Sequence, residues 1–324
     1  MDNGLKKLKN TMDHRLWTID QKTMSKSILL TGGSGLLGTH LTKLLLAKGY
    51  TVSHLGRKPG KNPQVKTYIW DIDKGTIDAQ CIDGIDTIIH LAGAGIADKR
   101  WTAARKQEVI DSRIKSAGLI YELLRNKENT VKTFISASGV GYYSDRGNEA
   151  MSEDDAPAND FLGHCCVVWE QAADAGKSLG LRIVKFRTGV VLDIGGGALP
   201  QLAAPIKFGF GAPLGSGKQW ISWIHWHDVA EMYLYAVENE IEGVYNMAAP
   251  NPVTNKQLTQ AVAKQIKRPL WLPNVPAFAL KLFLGEMATL VLGSTKTSAQ
   301  KIEDAGFSFK YNFVEEALKD IYGK

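Results

Sequence analysis

The residues Thr31-Gly32-Gly33-Ser34-Gly35-Leu36-Leu37-Gly38 follow directly on an apolar run, Ser27-Ile28-Leu29-Leu30, and together can hold a pyrophosphate. Glycines at 32, 35 and 38 place bare backbone where a strand turns into a helix. That spacing meets three demands at once: a tight turn, close approach of a phosphate pair, and close packing of helix on strand. The helix through Leu41, Leu44, Leu45 and Lys48 offers its free N-terminal amides and positive dipole end to the anion. Three spaced glycines alone are weak evidence. The strand–turn–helix context makes this a dinucleotide site in preference to a plain glycine turn.

The next strand selects the dinucleotide. In NAD binders a carboxylate about twenty residues after the glycines accepts hydrogen bonds from the adenosine ribose. Here Tyr50-Thr51-Val52-Ser53-His54-Leu55 runs into Gly56-Arg57-Lys58, with no carboxylate. A carboxylate there would repel a 2′-phosphate, whereas the Arg57 guanidinium can grip it through paired, charge-assisted bonds. The expected cofactor is therefore NADP(H). The alternative is a solvated basic pair in the turn before Pro59.

Other reactive side chains are read more plainly. Cys165 and Cys166 have no basic neighbour in sequence to lower their pKa and are expected to be inert, buried thiols. His164 could titrate near neutral pH but sits beside an apolar stretch, as a structural histidine would. His225-Trp226-His227-Asp228 resembles metal-ligand spacing superficially; no further ligand is at hand, and no metal is expected. Asp228 with Glu231 three residues on reads instead as a helix capping box. No Gly-x-Ser-x-Gly hydrolase element is present.

These residues need a frame. The 324 residues can bury a large core in one large or two unequal domains, with 44% hydrophobic and 22% charged residues, as in an ordinary globular protein. A net charge of +6 without a stripe of interleaved basic and aromatic residues argues against a nucleic-acid partner. Three cysteines make no disulfide framework and suit a reducing, cytoplasmic setting. The longest apolar stretch, around Phe278 to Leu292, is broken by Lys281, Gly285 and Glu286, so no membrane association is expected. Residues 1–26 are polar and read as a flexible tail or a mis-assigned start before Met24-Ser25-Lys26. Oligomeric state is not legible.

From residue 27 short β-rich runs alternate with amphipathic helices, the pattern of a Rossmann-type, doubly wound parallel sheet (α/β) with a smaller α-rich C-terminal portion. Expected strands are Ser27–Leu30, Tyr50–Leu55, Val65–Trp70, Thr87–Leu91, Thr133–Ser136 and Leu181–Phe186; expected helices are Leu36–Lys48, Thr102–Arg125 and Cys165–Leu179. The nucleotide-binding domain is placed at 27–192, its sheet completed by segments near 220–248, including strands at Trp220–His225 and Gly243–Met247. Residues 193–324 form the substrate and C-terminal portion, which is to close over the carboxyl ends of the strands.

With the glycine turn, His90-Leu91-Ala92-Gly93 and Ser136-Ala137-Ser138, the chain resembles the extended short-chain dehydrogenase/reductases. More specifically, Lys99-Arg100-Trp101-Thr102, Asp111-Ser112-Arg113, Ser138-Gly139-Val140-Gly141-Tyr142-Tyr143, Trp169-Glu170, Arg187-Thr188-Gly189-Val190-Val191-Leu192 and Trp223-Ile224-His225 resemble an atypical, NADP-dependent epimerase-like subgroup. Its members end in a small domain of unknown function, which residues 270–322 resemble. The resemblance covers residues 27 to 322. It implies cofactor contacts at Gly32, Gly35, Leu36, Leu37, Gly38, Arg57, Leu91, Ala92, Gly93 and Val191. It also implies contacts at Glu108 and Arg113, which as residues alone read equally as an exposed helical charge pair. By the same resemblance Ser138 is the substrate-orienting serine and His225 with Trp223 is part of the substrate pocket; Tyr142 or Tyr143 could supply a phenol, the alternative for two tyrosines after a strand being packing.

One element is missing. Reductases of this superfamily pair a tyrosine with a lysine four residues on, and the lysine lowers the phenol pKa for proton exchange. The matching window reads Phe161-Leu162-Gly163-His164-Cys165-Cys166, and neither registration supplies the pair. The expectation is an NADP(H)-dependent oxidoreductase or nucleotide-sugar-type epimerase of an unidentified small molecule, with a non-standard acid. The alternative is a non-catalytic NADP(H) sensor or scaffold.

Overall fold

The structure, a computed structural model, describes residues 26–323. The expected N-terminal tail lies outside the described residues except for Lys26, whose ammonium donates to the Val237 carbonyl at 3.0 Å. Strands are β1 Ser27–Thr31, β2 Thr51–Gly56, β3 Lys66–Asp71, β4 Thr76–Ile77, β5 Thr87–His90, β6 Thr133–Gly139, β7 Ala150–Met151, β8 Arg182–Thr188, β9 Val190–Leu192, β10 Trp220–Ile221, β11 Trp223–His225, β12 Gly243–Met247, β13 Val253–Thr254 and β14 Lys296–Thr297. Helices are α1 Leu36–Ala47, α2 Ala103–Asn126, α3 Phe161–Asp174, α4 Ala198–Lys207, α5 Trp226–Glu238, α6 Asn255–Gln265, α7 Ala277–Leu284, α8 Thr289–Leu292, α9 Gln300–Asp304 and α10 Val314–Tyr322.

The main sheet runs β12-β8-β6-β5-β1-β2-β3-β4, parallel except where β4 turns back on β3. Ile28 of β1 pairs with Val52 on one side and Thr87 on the other, so the strand order reverses at β1. That reversal opens the crevice in which doubly wound sheets bind ligands.

Alternation along the central strands builds the two cores. Ile28, Leu30, Ile89, Ile135 and Val184 face α1 and α5, meeting Leu41, Leu45, Val229 and Tyr233. Their neighbours Leu29, Ile88, Phe134 and Ile183 face α2 and meet Ala117, Ile120, Tyr121 and Leu124. Period-two strands sandwiched between helices on both sides read as continuous apolar runs in sequence.

Three expectations change. α3 begins at Phe161, four residues before the expected start, because the Asp160 carboxylate caps the Gly163 amide at 2.9 Å. Only a glycine fits there, since a Cβ on residue 163 would lie 2.1 Å from the Ala158 carbonyl oxygen. The stretch Trp220–His225 stays out of the main sheet and forms β10 and β11, which pair with β13 and β9; Gly243–Met247 alone completes the large sheet, as β12 beside β8. α5 is capped by the His225 ring, which accepts the His227 amide at 3.0 Å. Asp228 leaves the cap and takes the Lys310 and Tyr311 amides, both at 3.0 Å, into its buried carboxylate.

The C-terminal portion is tied to the rest rather than hung from it. Ile302, Phe307 and Phe309 enter the core beside α5 and β12. α4, α6 and α10 make a further core with Leu199, Ala203, Leu258, Val262, Val314 and Leu318. β14 pairs with β7, and Glu286 forms an ion pair with Lys106 of α2. Among the described residues no helix is long and apolar enough to cross a membrane.

Candidate functional site: a dinucleotide cleft with a buried ion-pair network

The glycine turn has the backbone a pyrophosphate needs. Gly32 adopts a left-handed φ of +72°, and a Cβ there would press on the Leu91 carbonyl carbon at 3.0 Å and the Ala92 amide at 3.1 Å. The turn after β1 thus lies directly against the end of β5. Thr31 Oγ1 closes the same junction by accepting the Ala92 amide at 3.1 Å. A Cβ at Gly38 would sit 2.3 Å from the Gly32 oxygen, so α1 approaches the turn as closely as backbone allows.

α1 has no side-chain cap, and its first turn carries no acidic residue. The first-turn amides of any helix lack intrahelical partners. In α2, α3 and α6 a side chain answers that need, from Thr102, Asp160 and Thr254. Here the Gly35 cap leaves them for an anion, and the site fits a dinucleotide on backbone grounds. Arg57 and Lys58 stand exposed at the end of β2, clear of the sheet.

Glu108 and Arg113 do not form the exposed charge pair that is the alternative to cofactor contact. Glu108 is exposed and bonds Arg105 Nη1 at 2.8 Å, and that hydrogen bond lowers its pKa. Arg113 is buried beneath Gly93 and Ala94, donating to the Ala94 and Val109 carbonyls and stacking over Trp169 at 4.3 Å. Its pKa falls because burial disfavours its charge, and its Nε is a buried donor with no partner. A cofactor acceptor beside Gly93 would satisfy it. Arg105 and Arg113 occupy the stripe 105–109–113–117–120–124 that faces the sheet, a placement legible from helical period alone.

The residues expected to do chemistry converge on a buried network. Ser138, 4% exposed, donates to Glu170 Oε1 at 2.8 Å. Glu170 receives the Arg187 fork through Nε at 2.8 Å and Nη2 at 2.9 Å. Arg187 Nη1 continues to the Tyr143 hydroxyl at 2.8 Å and the Glu153 carbonyl at 3.1 Å. Tyr143 then donates to Asn246 Oδ1 at 2.8 Å, and the Asn246 amide donates to Glu153 Oε1 at 2.6 Å. Burial works against the Arg187 charge, yet the Glu170 bond and charge outweigh it and the pKa rises. Burial raises the Tyr143 pKa despite Arg187. Tyr142 is half-buried, with its ring 3.3 Å from the Arg187 guanidinium carbon.

Sequence reasoning missed Glu170, Arg187, Asn246 and Glu153 as a unit. A signal existed: Lys185 and Arg187 interrupt an otherwise apolar, buried strand, and buried charges require partners. Lys185 finds Asp174 at 2.6 Å, and Arg187 finds Glu170. The cysteines are buried as expected: Cys166 donates to the Gly139 carbonyl at 3.5 Å, and burial pushes its thiol up to about 12. His164, expected against apolar neighbours, is exposed because α3 starts early and turns it outward.

Two pocket assignments are corrected. Trp223 and His225 are both fully buried, Trp223 in the core beside α4 and α6, where its indole donates to the Asn251 carbonyl at 2.8 Å. His225 stacks on Tyr311 at 4.0 Å and caps α5, so neither lines an open cleft. Val191 sits half-buried on β9, level with Ile224 of β11. Surface recesses of about 370 Å³ beside α5, including His227 and Tyr235, and of about 410 Å³ at Lys319 and Asp320, involve none of the predicted cofactor residues. The site is defined by backbone and buried charge.

His90 and His225 make stability pH-dependent. His90 is wedged between Thr31 Oγ1 at 2.9 Å and Ser116 Oγ at 3.0 Å, and burial lowers its pKa to about 3, helped by the Arg113 charge. Burial lowers that of His225 to about 4, although Asp320 and Asp228 act the other way. Below the unfolded histidine value of about 6.5 the unfolded chain binds protons that the native state refuses. Stability is therefore complete above that value and is lost as pH falls toward 4, with a slope of up to ~3 kcal/mol per pH unit if both rings stay neutral. Urea midpoints at pH 7.5, 6 and 5 check this; equal midpoints would refute it.

A strand order that reverses at β1, a glycine turn at that reversal and an uncapped helix aimed at it define a Rossmann-type dinucleotide-binding protein. The comparisons make the class specific. Residues 28–248 match the model of the NAD dependent epimerase/dehydratase family, and residues 275–321 match a domain of unknown function, DUF1731. The chain belongs to that family, in its atypical short-chain dehydrogenase/reductase branch. It is 39% identical over 298 residues to epimerase family protein YfhF of Bacillus subtilis, covering 91% of this chain and 97% of that one. It is 35% identical over 314 residues to the chloroplastic epimerase family protein SDR39U1 homolog of Arabidopsis thaliana, covering 93% and 88%. Among solved structures, human epimerase family protein SDR39U1 (isoform2) with NADPH superposes with a TM-score of 0.82 at 30% identity, covering 92% and 99%.

Proposed function

We propose that the protein is an NADP(H)-dependent oxidoreductase or epimerase acting on a small molecule. The observation that carries the reading is the uncapped α1 turn facing Leu91 and Ala92, with Arg57 where a NAD binder would place a carboxylate. That human SDR39U1 was solved with NADPH supports the choice of NADP(H). Gly32, Gly35, Leu36, Leu37 and Gly38 would hold the pyrophosphate, Arg57 the 2′-phosphate, and Leu91, Ala92, Gly93, Arg113 and Val191 the rest of the nucleotide. When bound, that cofactor supplies the hydride chemistry.

The chain's own part is to hold and move a proton. Tyr142 presents a half-buried phenol backed by the Arg187 guanidinium, and it is the residue assigned to proton exchange. Ser138 is assigned to orientation, acting through Glu170, to which it already donates. Buried, unpaired thiols at 81, 165 and 166 suit a cytoplasmic setting.

Two observations favour the second reading, a non-catalytic NADP(H) sensor. The Ser138 hydrogen is committed to Glu170, and the Tyr-x-x-x-Lys lysine position is filled by a thiol bonded to Gly139. Deuterium tracing separates the readings: label moving from C4-deuterated NADPH to a metabolite in cell extract establishes net reduction, whereas tight NADPH binding without transfer from either face favours the sensor or an epimerase that recycles its hydride. For the cofactor itself, Arg57→Ala is expected to weaken NADPH binding by roughly 10- to 100-fold, the worth of one charge-assisted hydrogen-bonded contact, and to leave NADH within about twofold. Fluorescence titration with both nucleotides reads this; equal losses would remove the 2′-phosphate assignment.

A further inference from the structure

Phe208 and Phe210 after α4, Trp271, and Phe278, Leu282 and Phe283 of α7 are all between 67% and 79% exposed. α7 buries none of its residues, although its sequence Ala277-Phe278-Ala279-Leu280-Lys281-Leu282-Phe283-Leu284 is apolar but for one lysine. An isolated exposed apolar residue needs no explanation, but a concentration of large ones does. These come from two segments that the backbone joins. The Leu270 side chain lies 2.9 Å from where a Gly211 Cβ would stand, Val275 donates to the Pro213 carbonyl at 2.9 Å, and Gly215 donates back to Val275 at 2.9 Å.

Charge on this part of the molecule is one-sided. Residues 194–224 and 251–296 carry eight lysines and arginines against one carboxylate, a surplus of seven that exceeds the +6 of the whole chain. That one carboxylate, Glu286, is taken by Lys106. Lys207 adjoins Phe208, Lys267 and Arg268 precede Trp271, Lys281 lies within α7, and all four are exposed. The intervening stretch 225–250, mostly α5 and β12, has five carboxylates and no lysine or arginine. Four of the eight cations thus adjoin the exposed aromatic and aliphatic side chains along the chain.

We propose that the exposed face formed by α7, Trp271 and the Phe208–Phe210 loop docks on an anionic lipid surface. Aromatic and leucine side chains enter the headgroup boundary, while the flanking cations add electrostatic attraction of the kind anionic leaflets exert. An acidic protein partner would use the charge, yet would leave six large apolar groups unexplained; a second copy of this chain would bring the same cations together. Among the described residues no helix is long and apolar enough to span a bilayer, and a surface assembled from two short segments carries no spanning-length signal.

The test is co-sedimentation of the full chain with vesicles of 70:30 phosphatidylcholine:phosphatidylglycerol, against pure phosphatidylcholine, at 0.1 and 0.5 M salt. The expected result is binding to the mixed vesicles, at least tenfold weaker to the neutral ones and at high salt. Phe278→Ser/Leu282→Ser and, separately, Lys267→Glu/Arg268→Glu are each expected to reduce it tenfold or more while leaving NADPH binding and the unfolding midpoint unchanged. Absence of sedimentation with the mixed vesicles overturns the proposal. So does binding indifferent to both variants, or a dimer in light scattering that Phe278→Ser/Leu282→Ser converts to monomer.

Discussion

Arg187→Leu is expected to reduce the unfolding free energy by roughly 3–5 kcal/mol, the usual cost of removing one partner from a buried ion pair. Arg187 is 3% exposed and Glu170 is 7% exposed, so neither charge can fall back on water. With the guanidinium gone, Glu170 keeps only the Ser138 bond, and Tyr143 loses a hydrogen-bond donor. The same logic predicts that Glu170→Leu/Arg187→Leu is less damaging than either single change, because matched apolar groups carry no unmet charge. Guanidinium chloride midpoints of the wild type, both singles and the double form the required cycle. A single-variant loss under about 1 kcal/mol would mean that water reaches the pair and that the network is not the rigid support described.

Gly38→Ala is expected to remove most NADPH affinity, by about 100-fold or more. Its Cβ would stand 2.3 Å from the Gly32 oxygen, 2.6 Å from the Gly33 Cα and 2.9 Å from the Gly33 carbonyl carbon, all backbone atoms of the turn itself. Relief requires α1 to back away from the turn, which withdraws the amides a phosphate would use. Losing two charge-assisted hydrogen bonds at about 1.5–3 kcal/mol each is sufficient for that factor. Gly118→Ala is the informative control. Gly118 is exposed on α2 with nothing within 4 Å of its missing Cβ, and alanine there should stabilise the chain by ~0.5–1 kcal/mol and leave the nucleotide alone. If Gly38→Ala binds NADPH like the wild type, the pyrophosphate does not sit at this turn.

Sequence and structure divide the protein unevenly. The parallel strands and their helices were legible because the signals were local: apolar runs of strand length, a 3.6-residue stripe in α2, and glycines that only a strand–turn–helix can use. Family motifs and the missing Tyr-x-x-x-Lys pair were equally plain in the linear chain. The start of α3 was missed because the apolar run from Cys165 hid the cap at Asp160, and β10 and β11 were placed in the main sheet because alternation says nothing of which strand is the neighbour.

What only the tertiary structure decided concerns polar side chains in the interior. Ser138, Glu153, Glu170, Arg187 and Asn246 lie as much as 108 residues apart, yet they converge because β6, α3, β8 and β12 stack side by side. His225 and Asp228 carried one pattern in sequence, a possible ligand pair or cap, and were given different work by Tyr311 and the Lys310–Tyr311 amides arriving from the C-terminus. A residue's type and spacing state what bonds it can make. Burial decides which of them it must make, and burial is a property of the folded chain.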